Sequence, residues 1–155
     1  MKVYKLKFEQ KINSSLGQVF SFFSKPENLA LITPPELDFK ILTPGPIKMK
    51  EGQLIDYTIK IFGLKIRWRT LITEFDYPNS FVDQQIKGPY SMWHHKHTFH
   101  DCKDFVHMVD EINYSVSFGF LGRIMNYFFI RKDLVKIFNY RKNIINKHFK
   151  EKELL

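Results

Sequence analysis

Apolar and polar residues alternate from Val3 to Ile12: Tyr4, Leu6 and Phe8 share one parity, and Lys5, Lys7 and Glu9 share the other. That period of two predicts a strand with one face in a core. Asn13, Ser14 and Ser15 then offer helix caps, and Leu16, Val19, Phe20 and Phe23 recur at helical spacing. Pro26 restarts the chain, and PENLALIT predicts a second short helix. It stops at Thr33-Pro34-Pro35, because proline lacks an N–H and disfavours a helical residue before it. Beyond this point the period returns to two. Strands are predicted over residues 37–42, 53–62, 65–75, 81–86, 91–100 and 105–118, divided by Gly, Pro and Asn. The short links imply an antiparallel meander, with tight turns at Gly63-Leu64 and around Cys102-Lys103.

Gly119 and Gly122 end the meander, and a long helix follows to the C-terminus. On it Ile130, Leu134, Ile137, Phe138, Ile144 and Ile145 form one broad stripe, opposite Lys132, Lys136, Asn143, Lys147 and Lys150. Such a stripe is expected to pack on the sheet rather than lie on a membrane. Arg141 interrupts it, either with its stem packed and its head in water or as a cation held in a cavity.

The stretch FVDQQIKGPYSMWHHKHTF carries titratable groups on the face that should be buried. In a strand over 92–99, Trp93, His95, His97 and Phe99 share a side, and the aromatic ends mark it as the core side. A hairpin centred on Cys102-Lys103 sets His95 opposite Asp110 and Trp93 opposite Ile112. The preceding hairpin sets Asp83 beside His95 and Gln85 beside Trp93. Inward positions of the next strand add Ile66, Trp68, Thr70, Ile72 and Glu74, and a turn at Gly63-Leu64 adds Tyr57 opposite Thr70. The result is a concave face with an aromatic lining and a polar strip, the composition of a pocket for a small organic molecule. The strip can serve as a satisfied core network, as a reader of a ligand's polar group, or as a His/carboxylate acid–base pair built from His95, Asp110 and Asp83. A His-x-His pair with a carboxylate is a weak metal signal, and neither a metal nor another cofactor is expected.

Composition narrows the class. With 155 residues the chain fits one domain, 1–155, and 16 Phe suit a wide core or a lined cavity. Cys102 is the sole cysteine, so no internal disulfide and no multi-thiolate zinc site can form. The N-terminus lacks a signal-peptide pattern, and no stretch approaches the roughly 20 apolar residues of a membrane span. Together these predict a cytoplasmic protein. The net charge of +8 is spread along the chain, which reads as solvated faces rather than a nucleic-acid site. Phosphate loops, nucleophile elbows and helix-borne metal motifs are missing.

The order strand, two short helices, meander and long C-terminal helix resembles the helix-grip fold of the START-like, or SRPBCC, superfamily. FSKPENLALITPPELDFKILTP, FVDQQIKGPYSMWHHKHTF and LVKIFNYR further resemble a bacterial ligand-binding subgroup of unassigned function. The resemblance implies an α+β fold in which a curved antiparallel sheet of about seven strands wraps the C-terminal helix around an apolar cavity. It also implies a binding role, and it brings no catalytic residues. The expected function is binding of a small apolar ligand that bears a polar group. Tyr57, Trp68, Thr70, Trp93 and Phe99 would surround its body, and Asp83, Gln85, His95, His97, Asp110 and Arg141 its polar end. A cyclase or dehydratase using His95 as general base is the alternative.

Overall fold

The structure, a computed structural model, describes residues 2–152. Seven strands form one antiparallel sheet: β1 (Tyr4–Ile12), β2 (Lys40–Ile41), β3 (Leu54–Ile61), β4 (Leu64–Asp76), β5 (Ser80–Lys87), β6 (Met92–Asp101) and β7 (Val106–Ser115). Their order across the sheet is β1-β7-β6-β5-β4-β3-β2, so the meander is consecutive and β1 closes it beside the last strand. Helix α1 (Leu16–Phe23) follows β1; α2 (Gly119–Met125), a π turn (Asn126–Ile130) and α3 (Arg131–Lys152) run on from β7. The expected class is present: a curved antiparallel sheet gripping a long C-terminal helix.

The second short helix is a single 3-10 turn, Pro26–Ala30, followed by another at Pro35–Leu37. Two prolines this close leave room only for short 3-10 pieces. The strand expected over 37–42 shrinks to Lys40–Ile41, because Asp38 adopts a left-handed φ of 42°. The strand expected to reach 118 stops at Ser115, before Phe118 turns left-handed and the helix begins.

Of the three expected hairpin registers, β5–β6 is as read, with Asp83 opposite His95, and the other two differ by two residues. The β3–β4 turn is Phe62-Gly63, both at positive φ, so Tyr57 pairs with Trp68 and not Thr70. The β6–β7 connection spans residues 102–105 with Lys103 at φ 70°, so Trp93 pairs with Tyr114, His95 with Ile112 and His97 with Asp110. A two-residue slip keeps every side chain on its face, so the inner surface is unchanged. β4 has irregular pairing at two places, between Arg69 and Thr70 and between Ile72 and Glu74. The second bulge turns Glu74 outward and brings Phe75 in against Phe20, correcting the inward placement of Glu74.

α3 lies across the inner face. Leu134, Phe138 and Ile145 of the expected stripe are buried, and Phe149 extends it by another turn. Phe138 stacks on Phe8 at 4.5 Å. Gln10 of β1, buried, donates through Nε2 to the Lys142 carbonyl at 2.9 Å and to Asn146 Oδ1 at 2.8 Å, tying the edge strand to the helix.

Candidate functional site

The inner face divides into a filled half and a hollow half. In the filled half Phe20, Phe23, Phe81 and Phe99 pack with Ile12, Val106 and Met108. Phe99 belongs here, 5.4 Å ring to ring from both Phe20 and Phe23, and does not line the hollow half. The hollow half is a cavity of about 400 Å³ between the sheet, the segment after α1 and α3.

Aromatic rings form one wall. Tyr57 stacks on Trp68 at 5.7 Å, Trp68 meets Trp93 edge-on at 5.5 Å, and Tyr90 closes the row 4.9 Å from Trp93. β-strand alternation delivers Tyr57, Trp68 and Trp93, whereas Tyr90 comes from the β5–β6 loop. Gln85 holds that loop: its Nε2 donates to the Tyr90 carbonyl at 2.7 Å, and its Oε1 accepts from the Tyr90 N–H at 3.3 Å. Gly88 leaves space for this, since a Cβ there would collide with the Gln85 carboxamide. Gln85 therefore positions Tyr90 and does not itself reach the cavity.

The polar wall is a closed set of two imidazoles and two carboxylates. His95 Nε2 lies 2.9 Å from Asp110 Oδ1, and its Nδ1 lies 3.3 Å from Asp83 Oδ2. His97 mirrors it, with Nε2 2.9 Å from Asp83 Oδ2 and Nδ1 2.9 Å from Asp110 Oδ1. The two Nε2 contacts are hydrogen bonds, while His97 Nδ1 is close but poorly aligned. Asp83, His95 and His97 face the cavity; Asp110 sits behind them and does not line it.

Burial penalises the charges of Asp83, Asp110 and His95, yet their partners outweigh it. Burial acts to raise the carboxyls of Asp83 and Asp110, and the two histidines hold both well below the ordinary carboxylate range. Burial acts to lower the His95 imidazole, and the two carboxylates lift it above its ordinary value. The set is therefore internally compensated. Burial, and next the Asp83 charge, push the Tyr57 phenol up, so it stays a neutral donor.

On the opposite side, Arg141 lines the cavity from α3, its guanidinium 5.1 Å above Phe138. Among the described residues it makes no ion pair, and its Nε–H has no partner, nor has Trp68 Nε1–H. Arg141 thus brings an unpaired cation to the cavity wall, while these two N–H groups are themselves buried without acceptors. Thr70 also lines it. Of the residues picked from sequence, Tyr57, Trp68, Thr70, Asp83, Trp93, His95, His97 and Arg141 border the cavity, and Gln85, Phe99 and Asp110 stand behind it. Tyr90 was missed because a loop residue has no periodicity; its signal was the adjacent Gly88-Pro89.

Donor atoms of Asp83, His95 and His97 lie within 4.8 Å of one another, near enough for one divalent ion. An ion there would have to displace the protons shared by rings and carboxylates, so its binding would compete with acid.

No protein-family model and no curated protein matches the chain. Solved structures do. The major latex-like protein 151 of Panax ginseng superposes with a TM-score of 0.70 at 14% identity, covering 95% of this chain and 97% of that one. The Zhui aromatase/cyclase of a Streptomyces species superposes at 0.72 with 12% identity, covering 96% and 94%. A protein from Chromobacterium violaceum superposes at 0.73 with 9% identity, covering 94% and 96%.

Proposed function

Proceeding from the helix-grip fold of the START-like, or SRPBCC, superfamily, which this chain has, we propose that it is a small-molecule binding protein whose cavity encloses an apolar ligand bearing a hydrogen-bond acceptor. The observation that carries this reading is the cavity itself. Its 400 Å³ lies in the range of pockets for drug-sized molecules, and its walls are mostly aromatic and aliphatic with a few placed polar groups. Arg141, a cation that lines the cavity and makes no ion pair among the described residues, sets the character of the polar end, a carbonyl, phenolate or carboxylate. We place the whole chain, 1–155, in one ligand-binding domain working in the cytoplasm, where its exposed thiol at Cys102 would stay reduced. Among the described residues no helix is long and apolar enough to cross a membrane.

Native mass spectrometry of the protein from its own host, against the denatured mass, tests the proposal. The expected result is an excess mass of a few hundred daltons that is lost on denaturation. A bare native mass, together with failure to take up an apolar fluorophore such as anilinonaphthalene sulfonate, would overturn it.

A second reading has its own support. His95 sits between two carboxylates on the cavity wall, and one structural neighbour is an aromatase/cyclase. An imidazole lifted in this way holds its proton more tightly than a free one, which suits a proton donor better than the general base expected from sequence. In a cyclase or dehydratase it would protonate a leaving hydroxyl or a carbonyl. His95→Gln would then abolish turnover with affinity within about tenfold, whereas a carrier has no turnover to lose.

A further inference from the structure

The segment that joins β7 to α3 has its apolar residues on the outside. A helix that only completes a core turns its apolar stripe inward. Here α2 buries Gly122 and the π turn buries Asn126, while Phe118, Phe120, Leu121, Tyr127, Phe128 and Phe129 are exposed, from 51% for Phe129 to 84% for Phe118. The orientation is enforced from below. A Cβ at Gly122 would collide with the Ser117 carbonyl, so the helix lies directly on the preceding turn. The buried Tyr114 hydroxyl donates to Asn126 Oδ1 at 2.8 Å, and rolling the helix to hide its rings would break that bond. The π turn adds a residue to the coil and sets Tyr127, Phe128 and Phe129 side by side.

Charge identifies what covers this face. Residues 116–132 contain Arg123, Arg131 and Lys132 and no acidic residue, in a chain of net charge +8. The Arg123 guanidinium sits 5.8 Å from the Phe120 ring, so cation and aromatic are presented together. Rings at the headgroup boundary with cations at the phosphate level are how a helix lies in the plane of an anionic membrane. We infer that the 118–130 segment docks on the surface of an anionic lipid bilayer. A second copy is a poorer occupant, because a two-fold contact through this face sets its cations against themselves with no acid to offset them. The docked segment ends at Ile130, which lines the cavity, and exposed Phe62 lines it as well, so an apolar ligand would have a route between bilayer and pocket. That route rests on the carrier reading; the docking does not.

Flotation of the full chain with vesicles of phosphatidylcholine containing about 30% phosphatidylserine, against pure phosphatidylcholine, tests it. Binding to the anionic vesicles is expected to be at least about tenfold tighter and to weaken as salt rises. The pair Phe120→Ser with Phe128→Ser, and separately Arg123→Glu with Lys132→Glu, should each weaken it by about tenfold or more. All four side chains are exposed, so thermal melts should be unchanged; where the Phe pair shifts the melt, the charge pair decides. No flotation, flotation indifferent to both pairs, or a lipid-independent dimer abolished by the Phe pair would each overturn the inference. Flotation of a protein whose native mass is bare and which takes up no apolar fluorophore would leave docking standing and remove the carrier.

Discussion

Asp110 pairs with His97 across the β6–β7 ladder, and the same carboxylate oxygen, 2.9 Å from His97 Nδ1, is also 2.9 Å from Nε2 of His95 two residues along. One residue outside the cavity thus touches both imidazoles that line it, hydrogen-bonded to His95 and at ion-pair distance from His97. Asp110→Ala should destabilise the fold by about 3–5 kcal/mol, the cost of leaving a buried charge set without a partner. Urea unfolding measures this; a loss below about 1 kcal/mol would mean that water or Asp83 alone satisfies the rings.

The same set makes stability depend on pH in two directions. Asp83 and Asp110 are lowered in the folded state, so their contribution is present above about pH 4 and is lost as pH falls toward the folded values. His95 is raised, so its contribution is complete below about pH 6.5 and is lost as pH rises through the folded value. The stability difference between wild type and His95→Gln should therefore be largest between about pH 4 and 6.5 and shrink on both sides. Denaturant melts across pH give the curve, and a difference that grew steadily toward pH 9 would contradict it.

Faces were easier to read than partners. Alternation placed Trp68, Trp93, His95 and His97 on the inner surface because core pairing tolerates only even slips. The β5–β6 register was legible, but the β3–β4 and β6–β7 registers missed by two, since those turns depend on which residues accept positive φ, and Phe62 and Lys103 are not residue types that announce it. The diagonal reach of Asp110 to His95 preserved the expected contact although the ladder partner differs. Glu74 was misplaced because a bulge inverts parity without a sequence mark. Division of the inner face into filled and hollow halves was invisible, so Phe99 looked like lining. The outward rings at 118–129 were equally hidden, because apolar residues next to a core helix read as core.

Gln85 should behave as a loop clamp. Gln85→Leu removes two hydrogen bonds to Tyr90 and is expected to cost about 1–2 kcal/mol. Hydrogen exchange at the Tyr90 amide should accelerate by about tenfold or more, with His95 and His97 resonances little moved. Gly88→Ala should reproduce the loosening, since its methyl group would occupy the space of the Gln85 carboxamide. Unchanged exchange in both variants would show that the loop is held by the aromatic stack alone.

Arg141 separates ligand recognition from stability. It has no ion pair among the described residues and rests its stem in an apolar stripe, so the fold gains little from its charge. Arg141→Met keeps the stem volume and removes the cation, and unfolding free energy should stay within about 1 kcal/mol. Binding of anilinonaphthalene sulfonate, an apolar body with one anionic group, should weaken by about tenfold, the loss of one charge-assisted contact in a partly enclosed site. A neutral fluorophore of similar size should lose less than about twofold. Equal losses for both probes would assign Arg141 to packing and place the polar end of the ligand at His95 and His97, whereas loss of stability without loss of binding would make it a structural cation.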